Sequence, residues 1–377
     1  MNSVNYSIEQ LNRFCCDAFE KFGFSKEEAS QITDVLLLAD LYGVKSHGTQ
    51  RLVRYYKAIE RGCVKVDAKP EIVFETPVSA VIDGHSGMGQ LTSVYAMNMA
   101  IEKAKKVGMS FVTVRNSNHF GIAGYYSKMA SDAGMMAIST TNSESIMVHT
   151  NSKEAILGSN PIAFAMPADP YPFWFDAATT VVPRGKLEVY NKADKPLNEG
   201  WATDETGSVC TDALHALSCI DKKQGGGILP VGGNKEENGS HKGYGYSMMC
   251  EILSAITSFG ATSNHHVKIA GQGSGTCHSF IVIDPAIFGD AELMKKNLSI
   301  FLQELRDAER ADENIPIYTH GEKECLSYKK LMKEGIDVDI STVAEMISIC
   351  NYLGMDSVEY LGDVDISGAK ESIYDKR

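Results

Sequence analysis

The sequence lacks the marks of several common protein classes. It has no Gly-x-Gly-x-x-Gly segment and no loop ending in Gly-Lys-Ser/Thr, which argues against a Rossmann dinucleotide site and against a P-loop. The nine cysteines are scattered, without any Cys-x-x-Cys, and the ten histidines show no ligand spacing beyond His265-His266, so no disulfide framework and no metal site is expected. No apolar run approaches the roughly 20 residues that cross a bilayer, and no secretory leader is expected at the N-terminus.

Basic residues are scarce relative to acidic ones. Lys and Arg number 36 against 48 Asp and Glu, a formal net charge of −12. This balance argues against nucleic acid or an anionic membrane as partner, because both require a positive surface. A small anionic substrate needs only local cations and stays compatible. Unpaired thiols and a length of 377 residues favour a cytoplasmic globular protein of two or three domains.

The most informative segment contains His119. Residues 109–114 form a β-branched and aromatic run that predicts a buried strand, and residues 125–130 predict a helix that Gly134 ends. His119 lies between them on a loop of small and polar residues. Because the helix start favours an anion, His119 is a candidate acid/base beside a phosphate-bearing cofactor. The alternative is a structural histidine held by hydrogen bonds.

A second polar set surrounds the start of a predicted helix that ends near Gly62. Ser46 and His47 precede this helix, and Arg51 and Tyr55 share one of its faces, four residues apart. A guanidinium with hydroxyl donors beside it can hold a carboxylate. The alternative is a solvated helix face with a capping serine.

The remaining pattern predicts a mixed chain of helices and strands. Two capping boxes, at Ser7 and Ser25, start a helical hairpin. Further helices are predicted at 90–107, from about 246 to 260, at 291–311 and from 341, and strands at 71–75, 79–84, 135–143, 161–167, 173–180 and 278–285. Residues 186–190 fit a helix or a strand. No βαβ alternation appears between 135 and 180, so a doubly wound parallel sheet is not supported. The polar tail from about Asp363 favours disorder.

Two glycine-rich segments need separate interpretation. Residues 85–89 predict a tight connection from a strand to a helix rather than a phosphate loop. Residues 239–246 enter an apolar helix. A lysine at a helix start is unfavourable for the helix dipole, which makes Lys242 a candidate contact for an anion unless it is simply solvated.

Several segments, in order from about residue 8 to about residue 325, resemble the malate/L-lactate dehydrogenase family that lacks a Rossmann fold. The resembling segments are Ala39-Asp40 through Ser46-His47-Gly48 and Arg51, Arg115 through Gly124, Thr141-Asn142-Ser143, Gly158-Ser159-Asn160-Pro161, Asp176-Ala177-Ala178-Thr179, Gly200-Trp201, Leu229-Pro230 and His241-Lys242-Gly243-Tyr244-Gly245. The resemblance implies an α/β fold with a largely antiparallel sheet in the cofactor domain and a helical domain that joins both termini. It further implies three domains, at 1–73 with 290–377, at 74–118 with 272–289, and at 119–271, and a homodimer.

The resemblance also implies roles for residues. His119 falls on the acid/base histidine, His47 and Ser46 on its catalytic neighbours, and Arg51 and Tyr55 on the substrate carboxylate site. The residues expected to bind NAD or NADP are Phe120, Gly121, Ile122, Ala123, Gly124, Ser143, Asp176, Ala177, Ala178, His241, Lys242, Gly321 and Glu322. The chain departs from many relatives in having His320 before Gly321, and in lacking their Pro and Gly between 148 and 155.

The implied reaction moves a hydride between NAD(P) and a small 2-hydroxy or 2-keto acid, with malate and oxaloacetate favoured. Lactate, ureidoglycolate and sulfolactate dehydrogenases keep this chemistry, a cyclic imine reductase replaces C=O by C=N, and the non-enzyme alternative is a metabolite-binding protein. A dicarboxylate requires a second cation, for which Arg54 and Lys45 are candidates. The choice of NAD or NADP stays open, because an acidic residue such as Asp176 near the ribose favours NAD, whereas an arginine such as Arg184 favours NADP.

Overall fold

The computed structural model describes residues 3–266, 269–372 and 374. The helices are α1 (Ile8–Phe22), α2 (Lys26–Leu41), α3 (Leu52–Glu60), α4 (Gly89–Val107), α5 (Ala123–Asp132), α6 (Arg184–Lys192), α7 (Ala213–Lys222), α8 (Ser240–Glu251), α9 (Ala291–Asp307), α10 (Glu322–Glu334), α11 (Ile340–Leu353) and α12 (Ser357–Leu361). The strands are β1 (Ser3–Tyr6), β2 (Glu71–Glu75), β3 (Ser79–Asp83), β4 (Met109–Ser117), β5 (Met136–Thr141), β6 (Met147–Val148), β7 (Ala155–Leu157), β8 (Ile162–Met166), β9 (Phe173–Ala177), β10 (Ala202–Thr203), β11 (Gly227–Ile228), β12 (Thr276–Ile283) and β13 (Ile336–Asp339).

A seven-stranded sheet carries the centre of the molecule, in the order β2-β3-β4-β12-β5-β8-β9. The pair β3–β4 is parallel and the other neighbouring pairs are antiparallel. A largely antiparallel sheet without a doubly wound core confirms the predicted fold class. A smaller sheet, in the order β10-β11-β6-β7, lies among the segments after β5.

The buried apolar side chains explain how the termini meet. One core cluster joins α1, α2 and α3 to β13 and α11, with Phe14, Leu36, Tyr55 and Met346 among its buried members. The predicted helical unit that joins both ends of the chain is therefore confirmed. A second cluster lies between the large sheet and helices α4 and α5, and a third packs α6 and α7 around the small sheet. The three-domain division stays a prediction.

The local signals at the N-terminus are confirmed in detail. Ser7 accepts a hydrogen bond from the backbone of Gln10, and Ser25 forms a complete capping box with Glu28. Gly23 ends α1 with φ 110°, a left-handed conformation that glycine adopts without strain. The third helix starts later than predicted, at Leu52, because the 3₁₀ turns Lys45–His47 and Thr49–Arg51 precede it.

Other expectations need correction. Helix α9 ends at Asp307 rather than 311, and strand β9 ends at Ala177 rather than 180. Helix α10 was not predicted because it contributes no buried side chain and so lacks an apolar stripe. The undecided residues 186–190 lie in α6. Disorder was the wrong expectation for the described part of the tail, where Ser372 is buried and its hydroxyl donates to Glu345 over 2.5 Å.

The predicted apolar helix after residue 246 is present, but many of its apolar side chains face away from the core of this chain. It consists of α8 and a π-helical turn, Ile252–Ile256. Several large side chains on these elements and on the turn after them are exposed: Tyr246, Met248, Met249, Ile252, Ile256 and Phe259. Its apolar residues therefore do not all serve the core of this chain. Within the described ranges, no helix has both the length and the apolar character that a membrane crossing requires.

Candidate active site

The loop that carries His119 is fixed by its neighbours on both sides. The side-chain amide of Asn118 donates to the carbonyl oxygens of Ser86 and Gly87, each over 2.9 Å. At Gly89, an added Cβ atom would lie 2.4 Å from the His119 carbonyl oxygen. The glycine-rich segment 85–89 is therefore the predicted tight connection, and glycine is required there because the backbone of His119 lies against it.

His278 is a second support that the sequence did not reveal. Its ring nitrogens lie 2.8 Å from the Thr141 hydroxyl and 3.0 Å from the Ser117 hydroxyl, and its ring stacks on Phe120 at 4.4 Å. Burial lowers the pKa of His278 to about 3. His278 is thus a neutral structural residue that orders the start of the His119 loop. The apolar sequence around it predicts a strand and gives no sign of this role.

His119 itself contacts Tyr55 and Gly121 through one ring nitrogen. Its Nδ1 lies 2.7 Å from the Tyr55 hydroxyl and 3.4 Å from the backbone nitrogen of Gly121. The 2.7 Å contact lets an Nδ1 proton bind the Tyr55 hydroxyl oxygen, which leaves Nε2 unprotonated in the neutral ring. The ring of His47 stacks beside it at 5.6 Å. The predicted pair His47 and His119 is thus brought together by the fold.

The electrostatic surroundings keep His119 neutral. Burial lowers its pKa well below the usual range, and the positive charge of Arg54 acts in the same direction. Burial and Arg51 likewise lower the pKa of His47 to about 3. Without a bound anion, both imidazoles are therefore uncharged at neutral pH.

Arg51 is buried beside these rings and is aimed by several partners. Its Nε donates to the Ser46 carbonyl oxygen over 2.5 Å, and its Nη1 donates to the Tyr374 hydroxyl over 3.0 Å. The carboxylate of Glu188 lies 3.5 Å from the same Nη1. The hydroxyl of Ser46 contacts Nδ1 of His47 at 3.0 Å. Ser46, His47, Arg51, Tyr55 and His119 therefore form one cluster, as the sequence predicted.

Asp40 supports the turn that presents Arg51. Its Oδ2 accepts from the backbone N–H of Thr49 over 2.8 Å, at the start of the 3₁₀ turn Thr49–Arg51. A Cβ atom at Gly48 would lie 2.0 Å from Asp40 Oδ1, so glycine is required for this approach. Burial raises the pKa of Asp40 to about 6. Asp40 lay in a resembling segment, but its positioning role follows only from the structure.

Glu188 joins the cluster to helices α6 and α7. It accepts from Arg184 Nε over 3.0 Å, and Arg184 Nη2 contacts both carboxylate oxygens of Asp221 at 3.0 and 3.1 Å. Arg51 and Arg184 keep the pKa of Glu188 below its usual value although burial opposes them. Sequence reasoning missed Glu188 because the helix that carries it could not be distinguished from a strand.

Three of the predicted cofactor segments meet at β9. The backbone N–H of Gly124 donates to Asp176 Oδ2 over 2.7 Å, and Trp174 Nε1 donates to the Gly124 carbonyl oxygen over 2.8 Å. The backbone N–H of Trp174 donates to the carbonyl oxygen of His320, next to Gly321. Asp176, Ala177 and Ala178 are half-buried, and Phe120, Gly121, Ile122, Ala123 and Gly124 are buried.

One expectation about the N-terminus of α5 is wrong. We expected the first N–H groups of α5 to be free for an external anion, but the Asp176 carboxylate accepts from Gly124 there. Burial raises the pKa of Asp176 to about 7 while this hydrogen bond lowers it. An internal carboxylate thus occupies the place that the sequence offered to a ligand phosphate.

The other predicted cofactor residues lie apart from this group. Ser143 accepts from the backbone of Ser159 over 3.0 Å. Glu322 lies 3.8 Å from Arg306. His241 and Lys242 are exposed on the first turn of α8, whose Ser240 hydroxyl contacts Thr150 at 2.8 Å. A cavity of about 390 Å³ lies beside that contact, lined in part by residues 148–153 and Asn234, within the region that departs from many relatives.

Comparison with known proteins finds relatives that match nearly the whole chain. A family model described as malate/L-lactate dehydrogenase matches residues 6–347. Malate dehydrogenase of Pyrococcus horikoshii is 40% identical over 357 residues, which cover 95% of this chain and 98% of that protein. L-sulfolactate dehydrogenase of Methanocaldococcus jannaschii is 39% identical over 94% of this chain and 98% of that protein. The crystal structure of malate dehydrogenase from Entamoeba histolytica superposes with a TM-score of 0.90 at 37% identity, covering 94% of this chain and 99% of that one.

Proposed function

Because the chain belongs to the malate/L-lactate dehydrogenase family and is a hydroxy acid dehydrogenase, we propose that its substrates are malate and oxaloacetate. One observation carries this proposal. Helix α3 and the turn before it present Arg51, and the same helix presents Tyr55 against Nδ1 of His119. A carboxylate-binding guanidinium and an acid/base imidazole are thus held in a fixed relation, which orients an anionic keto acid for reaction.

His119 moves the proton in this scheme. Its neutral ring, with the proton on Nδ1 toward the Tyr55 hydroxyl, accepts a proton at Nε2 from the hydroxyl of a 2-hydroxy acid, and its protonated ring donates from Nε2 to the oxygen of a keto acid. Since Nδ1 faces Tyr55 and Gly121, the exchanging nitrogen is Nε2. When both nitrogens carry protons, the Tyr55 hydroxyl accepts from Nδ1, and burial, which raises the pKa of Tyr55 to about 12, keeps the phenol protonated. The family is nicotinamide-dependent, and the reduced nicotinamide supplies the hydride when bound.

Arg51 holds the first carboxylate. Its guanidinium is buried, so an ionic hydrogen bond there is stronger than one at the surface. The 3.5 Å contact with Glu188 is long for an ion pair and compensates the buried charge when no substrate is present. Ser46, through its carbonyl oxygen, fixes the direction of the guanidinium. His47 lies beside the reacting ring, in a position to orient the substrate or stabilise its oxyanion.

Arg54 is the cation for the second carboxylate. Of the two candidates from the sequence, Lys45 is exposed and donates to the carbonyl oxygen of Asp337. Arg54 is half-buried one residue before Tyr55, and within the described ranges it forms no ion pair or hydrogen bond. Its charge also acts directly on His119. A free guanidinium at this position fits the far carboxylate of a four-carbon dicarboxylate, and a sulfonate in its place makes sulfolactate the second candidate substrate.

The residues present fit a nicotinamide dinucleotide. Small side chains at Ala177 and Ala178 allow close approach at the end of β9, and the half-buried Ser143 offers a hydroxyl. The hydroxyl of Thr180, close by in sequence, is buried without a hydrogen-bond partner among the described residues, which favours a polar ligand at this edge. We propose that these residues, the 120–124 loop, Asp176, His241, Lys242, Gly321 and Glu322 form the cofactor site.

Arg184 bears on the choice between NAD and NADP. A ribose 2′-phosphate requires a nearby cation, but Arg184 is committed to Glu188, Asp221 and Glu144 and exposes only 11% of its side chain. This argument favours NAD. Separate titrations with NADH and NADPH test it.

We also propose a homodimer in the cytoplasm. The exposed apolar side chains of α8 and the π-helical turn, with Phe259 just after them at 82% exposure, suit a partner surface. All nine cysteines are free, which fits a reducing compartment. Light scattering on the purified protein tests whether it is a dimer. A monomer at micromolar concentration would contradict the proposed homodimer.

The substrate proposal is tested by nicotinamide absorbance with purified protein. Oxaloacetate, 3-sulfopyruvate, pyruvate, 2-ketoglutarate and a cyclic imine are each supplied with NADH and NADPH. We expect the largest kcat/KM with oxaloacetate and the next with 3-sulfopyruvate, because these short dianions engage both Arg51 and Arg54. A preference for pyruvate or for the imine would overturn the malate assignment and point to the lactate or imine reductase alternative. Cofactor binding without any turnover would indicate that the substrate is another 2-hydroxy acid. Absence of cofactor binding would favour the alternative of a non-catalytic metabolite-binding protein.

A further inference from the structure

A cluster of three potential metal ligands lies on the small-sheet side of the molecule, outside the residues assigned to catalysis. Glu205 Oε2 and His215 Nε2 are 2.9 Å apart. Cys219 Sγ lies 3.4 Å from that carboxylate oxygen and 3.8 Å from that nitrogen. His215 and Cys219 are one turn apart on α7, and Glu205 lies on the turn after β10.

The turn that carries Glu205 is well fixed. The carboxylate of Asp204 accepts from the backbone N–H groups of Thr206 and Ser208 over 2.9 and 3.1 Å, and from the Thr206 hydroxyl over 2.6 Å. Asp204 is thereby used within the turn, which leaves Glu205 to face α7. The cluster therefore joins two rigid segments rather than two mobile ones.

The three potential ligand atoms, Glu205 Oε2, His215 Nε2 and Cys219 Sγ, all face one another. This arrangement distinguishes the cluster from a nucleophilic triad. A Cys-His-Glu triad uses the two imidazole nitrogens separately, one for the thiol and one for the carboxylate. In this cluster, Nε2 of His215 faces both Cys219 and Glu205. Burial and the Glu205 carboxylate raise the pKa of the Cys219 thiol to about 11, the opposite of an activated nucleophile.

The spacing of these atoms matches a transition metal. A circle through three points separated by 2.9, 3.4 and 3.8 Å has a radius of about 2.0 Å, and zinc lies about 2.0–2.3 Å from N, O and S ligands. We propose that Glu205, His215 and Cys219 form a zinc-binding site. Cys219 is buried, whereas the side chains of His215 and Glu205 are each 47% exposed, so a water molecule completes the tetrahedron.

The donor chemistry selects the class of ion. A thiolate with an imidazole suits Zn²⁺, while a single carboxylate is too few oxygen ligands for Ca²⁺ or Mg²⁺. The metal replaces the thiol proton of Cys219, so binding releases a proton and strengthens with rising pH. It connects α7 to the β10 turn, and α7 also carries Asp221, the partner of Arg184. The site is thus a clamp on the helix that supports the Arg184–Glu188 pair.

The sequence predicted no metal site because neither the cysteines nor the histidines, each type taken by itself, show ligand spacing. The ligands combine one histidine with a cysteine four residues later and a glutamate ten residues earlier. Helical periodicity places the first two on one face. The glutamate joins them only through the packing of α7 against the β10 turn, which single-sequence reasoning did not provide.

Cobalt titration of the chelator-treated, full-length protein tests the site. Co²⁺ takes the same tetrahedral ligands and gives a thiolate charge-transfer absorption. We expect this band to saturate at one equivalent per chain and to be abolished by added Zn²⁺. Cys219→Ser should remove it, while the control Cys16→Ser, a half-buried thiol on α1, should retain it.

His215→Ala provides a second, exposed substitution that leaves the core intact. We expect it to weaken Co²⁺ affinity at least about tenfold, whereas the matched control His85→Ala, which removes another exposed His-Glu pair, should not. Thermal unfolding with chelator should be unchanged in His215→Ala, and zinc should raise the Tm of the wild type more than that of the variant. No band in the wild type, a band that persists in Cys219→Ser, or a Co²⁺ affinity of His215→Ala within twofold of the wild type would overturn the proposal.

Discussion

The Tyr55 hydroxyl lies 2.7 Å from Nδ1 of His119. This contact connects α3, which carries Arg54 and follows the turn that carries Arg51, to the loop that carries the acid/base group. It also fixes which imidazole nitrogen faces the reacting oxygen, because the other nitrogen is already in use. The position of the substrate carboxylate and the position of the exchanging proton therefore depend on one hydrogen bond.

Tyr55→Phe should lower kcat about 10- to 100-fold, because the imidazolium loses its Nδ1 partner and the ring its fixed orientation. Cofactor affinity, measured by quenching of protein fluorescence, should stay unchanged. The matched control is Tyr56→Phe, whose lost hydroxyl contacts Glu60 instead. A kcat within twofold of wild type for Tyr55→Phe would show that the hydrogen bond has no catalytic role.

The pH dependence should differ between the two directions. Because burial and Arg54 hold the pKa of free His119 well below its usual range, the neutral base needed for malate oxidation is already formed at neutral pH. Oxidation kcat/KM should be flat from about pH 6.5 to 8.5, while reduction kcat/KM should fall about tenfold per pH unit, since the required imidazolium becomes rarer. Initial rates in constant-ionic-strength buffers measure both. An oxidation profile that rises with an apparent pKa near 7 would contradict this account.

Arg54→Met should separate dicarboxylates from monocarboxylates. Loss of one charge-assisted hydrogen bond should lower kcat/KM for oxaloacetate about 10- to 100-fold. The kcat/KM for pyruvate should not fall, because pyruvate has no second carboxylate to lose and because removing the Arg54 charge favours the His119 imidazolium. Lys57→Met removes a cation from the same helix, where it pairs with Glu60, and should affect neither substrate. Equal losses for oxaloacetate and pyruvate would show that Arg54 does not select the substrate.

Tyr374→Phe tests whether the C-terminal tail takes part in substrate binding. The Tyr374 hydroxyl accepts from Arg51 Nη1 over 3.0 Å, so its loss leaves a buried guanidinium less well oriented. We expect KM for oxaloacetate to rise about 2- to 10-fold with kcat little changed. Tyr360→Phe, which removes a hydroxyl bonded to Asp17 near the same terminus, is the control. An unchanged KM would assign the tail a purely structural role.

The sequence predicted the parts of the site that depend on local spacing. Ser46 and His47 precede the helix that carries Tyr55, and His119 lies between a strand and a helix. These signals lie within about one turn or one loop of the chain, where periodicity and capping are informative. The resemblance to a known family then assigned roles to the same residues.

The partners of Arg51 could not be predicted in this way. Glu188 and Tyr374 lie 137 and 323 residues away in sequence, and no periodic pattern encodes which distant side chains meet. The supporting role of His278 could not be predicted for the same reason, because its neighbours belong to other strands of the sheet. Asp176 shows the opposite error, because the helix start at Gly124 was assigned to a ligand when a distant carboxylate of the same chain occupies it.

The most direct test of the proposed mechanism is oxaloacetate-dependent loss of NADH absorbance in wild type and His119→Ala. The mechanism predicts turnover by the wild type and a decrease in kcat of at least about 100-fold in the variant, because general acid help of this kind contributes 10²–10⁴-fold. NADH binding, followed by fluorescence, should be retained in the variant. Turnover at the wild-type rate in His119→Ala would contradict the central claim that His119 exchanges the proton.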